Sequence, residues 1–99
     1  MDKNAVITKV GQYKNLLQGT MAFNSIYLYG SYARDTSRED SDIDVAVIVD
    51  EPIDDYFQVV PLLWKLRRQI DDRIEPLLID KNNDPAGFLD DIKAYGIEI

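Results

Sequence analysis

The sequence predicts an α/β (α+β) fold in which helices pack on a small mixed β-sheet. Its 99 residues suffice for one domain with a single core, over residues 1–99. Helical patterns alternate with short apolar runs in the order α-β-α-β-α-β-α, with a last short strand at the end. No internal repeat or low-complexity linker interrupts this order, so we expect one undivided domain.

The first 41 residues predict a helix, a strand and a polar loop. Between Asp2 and Gln18, apolar residues recur at spacings of three and four, which is typical of one helix face, and Gly19 suits its end. Residues 25–29 are β-branched and aromatic and predict a buried strand. This strand runs into a sharp turn at Gly30-Ser31. We expect a short helical turn over residues 32–34 and a polar loop over residues 35–41.

The remainder predicts two further strands and two helices. Residues 42–49 first alternate and then become continuously apolar, which indicates a strand that enters the core. The acidic residues 50–55 are typical of a turn that leads into a helix, because acids favour the positive end of a helix dipole. The helical stripe over residues 56–70 contains Pro61, so that helix either begins near Val60 or kinks.

The third strand covers residues 73–79, and Pro76 predicts an edge or bulge position in it. A turn at residues 82–85 precedes a short helix that carries Phe88 and Tyr95 and stops at Gly96. Residues 97–99 predict a last short strand.

Composition excludes several classes of site. The chain has no Cys and no His, which excludes disulfides, thiolate metal sites and His-based triads. The net charge of −7 makes DNA and anionic membranes poor electrostatic partners. No apolar run approaches the ~20 residues of a membrane span, and no secretion signal is evident, so we expect a cytoplasmic protein. Residues 30–55 alone sum to −7, so the acidity is local.

Three carboxylates near a Gly-Ser turn suggest a cation site. Side chains alternate along a strand, so Asp42 and Asp44 point to the same face, roughly 7 Å apart. Paired carboxylates repel unless a cation lies between them, and oxygen ligands favour Mg²⁺ or Mn²⁺. Gly30 lets the backbone approach a phosphate, and Ser31 adds a hydroxyl donor. Glu75 can share a metal or accept the proton of an attacking hydroxyl, which is the logic of phosphoryl or nucleotidyl transfer.

The two motifs resemble a known signature. Gly30-Ser-Tyr-Ala-Arg34 and Ser41-Asp-Ile-Asp-Val45, with ten residues between Gly-Ser and Asp-x-Asp, resemble the minimal nucleotidyltransferases of the DNA polymerase β superfamily. The resemblance implies a polymerase-β-like nucleotidyltransferase fold, a Mg²⁺ (or Mn²⁺) cofactor and ATP or another nucleoside triphosphate as substrate. It implies that Gly30 and Ser31 bind the triphosphate and that Asp42, Asp44 and Glu75 are the catalytic, metal-binding carboxylates.

Several assignments within this resemblance stay open. Asp72 and Asp80 are alternatives to Glu75, which Pro76 follows. Arg34 either pairs with phosphate or buttresses the loop. Ser41 either touches the γ-phosphate or closes the loop, and Tyr32 is a candidate to reach a base or sugar. The family commonly has Gly where this chain has Asp35, although Asp tolerates the left-handed region better than most residues.

The implied activity is transfer of AMP from ATP to a hydroxyl group. The chain lacks room for the acceptor-binding helical domain of larger relatives. Minimal members are typically paired with a small helical HEPN toxin, and the nucleotidyltransferase acts as antitoxin by adenylylating a tyrosine of the toxin. The alternative is a catalytically silent module that neutralises or scaffolds a helical partner by binding. The base, the acceptor and the oligomeric state, including a homo-oligomer, stay open.

Overall fold

A four-stranded sheet organises the fold. The computed structural model describes residues 1–51 and 56–99. The strands are β1 (Ser25–Tyr29), β2 (Ile43–Val49), β3 (Ile74–Asp80) and β4 (Ile97–Glu98), in the spatial order β3-β2-β1-β4. β1 pairs antiparallel with β2 and β4, whereas β2 pairs parallel with β3. The sheet is therefore mixed, as the sequence predicts.

Three helices pack on this sheet: α1 (Lys3–Gln18), α2 (Tyr56–Leu66) and α3 (Phe88–Tyr95). The Asp2 carboxylate caps α1 by accepting from the Ala5 amide at 2.8 Å. A 3₁₀ helix (Arg67–Gln69) follows α2 directly. No helix in the described ranges 1–51 and 56–99 is long and apolar enough to cross a membrane.

The two faces of the sheet carry different cores. Ile43, Val45 and Val47 of β2 lie in the larger core, which buried side chains of α1 and α2 complete. Ala46 and Ile48, on the opposite face, pack with Leu89 and Ile92 of α3. Because side chains alternate along a strand, Asp44 shares the α3 face with Ala46 and Ile48. The folding of β2 thus directs Asp44 away from the main core.

Two expectations about the helices need correction. The second helix of the predicted order is only a turn over residues 31–35. A helix of five residues forms too few backbone hydrogen bonds to offset the cost of starting it. Of the two alternatives for the helix that contains Pro61, a start near Val60 is wrong, because α2 already includes Tyr56. Proline has no amide hydrogen, so the backbone hydrogen bond from residue 61 to the Phe57 carbonyl is missing. Phe57 is 89% exposed, so water can donate to this carbonyl instead. Residues 52–55 of the predicted acidic turn lie outside the described residues.

The position of Pro76 confirms its predicted role. Pro76 lies in β3 opposite Val45, and β3 is the edge strand of the sheet. An edge strand tolerates proline because one row of its backbone groups has no neighbouring strand to bond. The strand therefore continues through Pro76 and keeps Glu75 in the ladder.

An ion-pair cluster ties α1 to the start of β3. The Asp71 carboxylate accepts from Lys9 Nζ at 2.7 Å and from the Arg73 guanidinium at 3.0 Å. It also accepts from the Arg73 backbone amide at 2.8 Å. The Arg73 side chain, followed by Lys9, holds the pKa of the Asp71 carboxyl far below its usual range. The Asp71 side chain is only 10% exposed, so this cluster is better shielded than an ordinary surface pair.

We expect Asp71→Asn to lower the free energy of unfolding by about 1–2 kcal/mol at pH 7. Because the folded-state pKa lies below the unfolded value, the stabilisation is complete above about pH 5 and is lost as the pH falls below about 4. Urea unfolding at pH 7 and pH 3 measures this. Asp72→Asn, at an exposed neighbouring carboxylate, is the control and should change stability little at either pH. An equal loss for Asp71→Asn at both values would contradict the electrostatic origin.

Candidate active site

A row of polar side chains crosses three strands on the α3 face of the sheet. Tyr29 lies opposite Asp44 in the β1–β2 register, and Asp44 lies opposite Glu75 in the β2–β3 register. Directly paired residues project to the same side of a sheet, so these three side chains are neighbours. Asp42 precedes β2 by one residue and shares the orientation of Asp44. The structure therefore brings the three predicted carboxylates together.

Gly30 ends β1 in direct contact with Asp44. Its φ is +73°, in the left-handed region that favours glycine. A Cβ atom at this position would overlap Asp44 Oδ2 and would lie 3.0 Å from Asp44 Cγ. Any larger residue is thus disfavoured twice, by backbone conformation and by the carboxylate. This contact places the Gly-Ser turn against the carboxylate row.

The chain after Gly30 forms one helical turn. The Arg34 amide donates to the Gly30 carbonyl at 3.1 Å, and the Thr36 amide donates to the Ser31 carbonyl at 2.9 Å. The amides of Ser31 and Tyr32 precede the first of these donors and have no acceptor inside the turn. Such amides are suited to bind phosphate oxygens. That the Gly-Ser turn does so stays a prediction.

Asp35 ends this turn at φ +59°, where the family commonly has glycine. An aspartate tolerates this region better than most residues, so the departure leaves the turn intact. Lys3 Nζ holds the Asp35 carboxylate at 3.0 Å. Tyr32, by contrast, is 1% exposed and its hydroxyl faces the Arg38 carbonyl at 3.5 Å. Tyr32 is therefore a core residue and does not reach a base or sugar.

Ser41 closes the polar loop directly before Asp42. Its Oγ accepts from the Arg38 amide at 2.7 Å, and its own amide donates to the Arg38 carbonyl at 3.1 Å. The hydroxyl still has its proton to donate. Ser41 thus fixes the loop, and its predicted contact with a phosphate stays compatible with this geometry.

The electrostatics of the row reflect crowded negative charge. Burial, and then the charge of Asp42, raise the pKa of Asp44. Burial, the nearby Asp42 carboxyl and Asp44 raise the pKa of Glu75, while Arg67 opposes the shift. Burial with the charges of Asp44 and Glu75 raises the pKa of Tyr29 to about 12. The negative charge of Asp42 therefore makes ionisation of Asp44 and Glu75 harder, which is the condition that a bound cation would relieve.

The donor set fits a hard divalent cation. Asp42, Asp44 and Glu75 offer only carboxylate oxygens, the ligands that Mg²⁺ prefers. Among residues 1–51 and 56–99, however, no three Asp or Glu side chains lie close enough together to hold a metal ion by themselves. Mg²⁺ usually binds through one or two protein carboxylates and fills its remaining positions with water and phosphate oxygens. A pair of carboxylates from this row would therefore suffice only for a cation that binds together with a nucleotide.

The two alternatives to Glu75 lie elsewhere. Asp80 ends β3 opposite Val49, roughly 16 Å along the strand from Glu75, and accepts from the Asn82 amide at 2.9 Å. Asp72 is exposed in the turn before β3. Glu75 is the one of the three that is paired with Asp44, so the geometry favours it as the third carboxylate.

Sequence reasoning missed an aromatic cleft next to Gly30. The Arg34 guanidinium lies 4.5 Å from the ring centroid of Tyr95, and Tyr29 meets Phe88 edge to face at 5.9 Å. These contacts join α3 to the end of β1. The sequence suggests that Tyr29 is a core position and places Phe88 and Tyr95 on the last helix without a functional role. The alternation of side chains along a strand could have shown this, because it places Tyr29 on one face of β1 together with Tyr27, and the pairing of β1 with β2 makes this the face of the Asp-x-Asp pair.

The family comparison agrees with this geometry. Residues 12–99 match the family described as "Polymerase beta, Nucleotidyltransferase". The chain belongs to this nucleotidyltransferase family. The match includes the Gly-Ser turn, the Asp-x-Asp pair and β3, which is the whole of the site described above.

Two further proteins resemble this nucleotidyltransferase. A Methanocaldococcus jannaschii protein, named provisionally as the protein adenylyltransferase MJ0141, is 29% identical over 76 residues, which is 75% of this chain and 76% of the relative. A solved structure described as "Crystal structure of the toxin-antitoxin with AMP-PNP" superimposes with a TM-score of 0.63 at 24% identity. That superposition covers 99% of this chain and 72% of the other, and it confirms the fold.

We expect Gly30→Ala to destabilise this nucleotidyltransferase more than Gly87→Ala. Both glycines have positive φ, so each alanine carries a conformational cost of roughly 1–2 kcal/mol. A Cβ at Gly87 meets nothing within 4 Å, whereas one at Gly30 meets Asp44. Overpacking should add at least about 1 kcal/mol at Gly30. Chemical denaturation of both variants measures the difference, and equal losses would contradict the close contact.

A second pair of variants tests the backbone at Asp35. Asp35→Gly and Asp35→Ala both remove the ion pair to Lys3, but only glycine adopts positive φ without strain. We expect the glycine variant to be more stable than the alanine variant by about 1 kcal/mol. Thermal unfolding of both variants provides the comparison. A more stable alanine variant would show that the turn does not require the left-handed conformation.

Proposed function

We propose that this nucleotidyltransferase transfers AMP from ATP to a hydroxyl group of a partner protein, and that the reaction depends on Mg²⁺, or on Mn²⁺ in its place. The observation that carries the proposal is the row of Asp44 and Glu75, with Asp42 beside them, against the Gly30-Ser31 turn. Phosphate-binding amides and cation-binding carboxylates have to be adjacent for nucleotidyl transfer. Here one glycine brings them into contact.

Each residue of the row has a role in this proposal. Asp42 and Asp44 hold the cation, which when bound neutralises phosphate charge and lowers the barrier to attack at phosphorus. The turn at Gly30 and Ser31 binds the triphosphate, and the Ser41 hydroxyl is a further phosphate donor. The Arg34 guanidinium lies over the ring of Tyr95 instead. The acceptor oxygen bonds to the α-phosphorus, the bond to the bridging oxygen breaks, and pyrophosphate leaves. Glu75 accepts the hydroxyl proton or completes the cation site.

The nature of the partner rests on the relatives. A similar protein carries the name of a protein adenylyltransferase, and a protein of the same fold was crystallised as a toxin–antitoxin with a nucleotide analogue. These names support a toxin–antitoxin pair, and we propose that this chain is its antitoxin and acts in the cytoplasm. The proposed acceptor is a tyrosine of a small helical HEPN toxin, as the resemblance of the two motifs implies.

The test incubates the chain with α-labelled ATP, Mg²⁺ and the protein encoded by the adjacent reading frame. We expect label on the partner, and we expect Asp44→Asn to reduce its rate of appearance by at least about a hundredfold, because a cation ligand is lost. Asp40→Asn is the matched control, since Asp40 is an exposed carboxylate in the same acidic segment. It should leave transfer nearly unchanged.

The outcomes separate catalysis from binding. Tight complex formation without label, together with no ATP-dependent rise in melting temperature, would support the catalytically silent binding module. Label in the presence of EDTA would contradict the dependence on a divalent cation. Equal loss in Asp40→Asn and Asp44→Asn would show that general acidity of the segment, rather than the carboxylate row, is required.

A further inference from the structure

A cleft of about 130 Å³ lies between the end of β1 and α3, immediately beside Gly30. Its walls include Tyr29, Arg34, Phe88, Asp91 and Tyr95. This volume is much smaller than the ~300–1,000 Å³ of sites for drug-sized ligands, so it suits one planar ring system rather than a peptide segment. The roles proposed above for the carboxylate row and the turn leave this cleft without an assigned ligand.

The cleft is continuous with the phosphate-binding turn. Gly30 belongs to both, and Arg34 donates its amide to the Gly30 carbonyl while its side chain stacks on Tyr95. Tyr29 belongs to both the cleft and the carboxylate row. A ligand whose phosphates occupy the turn would therefore extend its next group towards this cleft.

The surfaces of the cleft suit stacking. Phe88 is 40% exposed and Tyr95 is 59% exposed, and both line the same cleft. A planar heterocycle would cover these rings and the flat guanidinium of Arg34, both of which stack well on nucleobases. The aromatic side chains are thus exposed where a base would bury them.

The polar group in the cleft adds a preference. Asp91 lines the cleft and offers only hydrogen-bond acceptors when ionised. An exocyclic amino group, as in adenine, can donate a hydrogen bond to this carboxylate. The carbonyl oxygens of uracil are themselves acceptors, so they would be repelled by it. Asp91 therefore favours amino-bearing bases.

We propose that this cleft is the nucleobase subsite, that Tyr95 and Arg34 stack on the base, and that Asp91 selects bases with an exocyclic amino group. The inference rests on the proposed function, since it assumes that the triphosphate occupies the turn at Gly30. It names residues of α3 that neither motif contains.

Calorimetric titration with ATP, UTP and inorganic tripolyphosphate, each with Mg²⁺, tests the subsite by binding alone. We expect Tyr95→Ala to weaken ATP binding about 5- to 100-fold and to leave tripolyphosphate binding unchanged. Asp91→Asn should reduce the preference for ATP over UTP. Tyr56→Ala is the matched control, because Tyr56 is 51% exposed and belongs to α2, which packs on the opposite face of the sheet. It should bind all three ligands as the unmodified chain does.

The outcomes distinguish failure of the nucleobase subsite from failure of the proposed function. If the unmodified chain binds neither ATP nor tripolyphosphate, the proposed function fails and the subsite fails with it. If Asp44→Asn weakens both ligands while Tyr95→Ala and Asp91→Asn bind ATP normally, the function stands and the subsite is wrong. Equal weakening of ATP and tripolyphosphate by Tyr95→Ala would also overturn it, because the effect would then not concern the base.

Discussion

The contact between Gly30 and the Asp44 carboxylate is the constraint on which the rest of the site depends. β1 and β2 are antiparallel neighbours, so the end of one meets the beginning of the other. The chain leaves β1 at a residue with φ +73°, and only glycine fits there without overlapping Asp44. The turn amides and the Asp44 carboxylate are therefore brought together by backbone geometry rather than by long side chains.

One face of the sheet carries the larger apolar core, and the other face carries the candidate site. α1 and α2 bury one face in a continuous apolar core, whereas α3 covers only part of the other. The carboxylate row lies on the partly covered face, where burial and neighbouring carboxylates raise the pKa values of Asp44 and Glu75. Such crowding opposes folding, and the larger core and the cluster around Asp71 offset it on the opposite side. Destabilised groups are thus concentrated where a charged substrate would bind.

α3 contributes more than packing. Leu89 and Ile92 close the smaller core, while Tyr95 and Phe88, on the same helix, face the cleft beside Gly30. In a domain of this size, one short helix has to serve both purposes, because no further element is present in the described residues on that face. This explains why the exposed aromatic side chains at the cleft occur beside the turn at Gly30-Ser31 and are joined to it through Arg34.

The sequence by itself determined the strands, the order of elements apart from one helical turn, and the motif residues of the site. Apolar periodicity identifies β1 within its bounds, and the alternation in residues 42–44 correctly places Asp42 and Asp44 on one face. Only the tertiary structure distinguishes the positions of Glu75, Asp72 and Asp80, because pairing with Asp44 depends on the register of β3 against β2, a contact about 30 residues apart in the chain. That Glu75 is the third carboxylate stays a prediction. The cleft is likewise a tertiary feature. Tyr29, Arg34 and Tyr95 carry no joint pattern in the sequence, and they meet only because α3 packs across the end of β1.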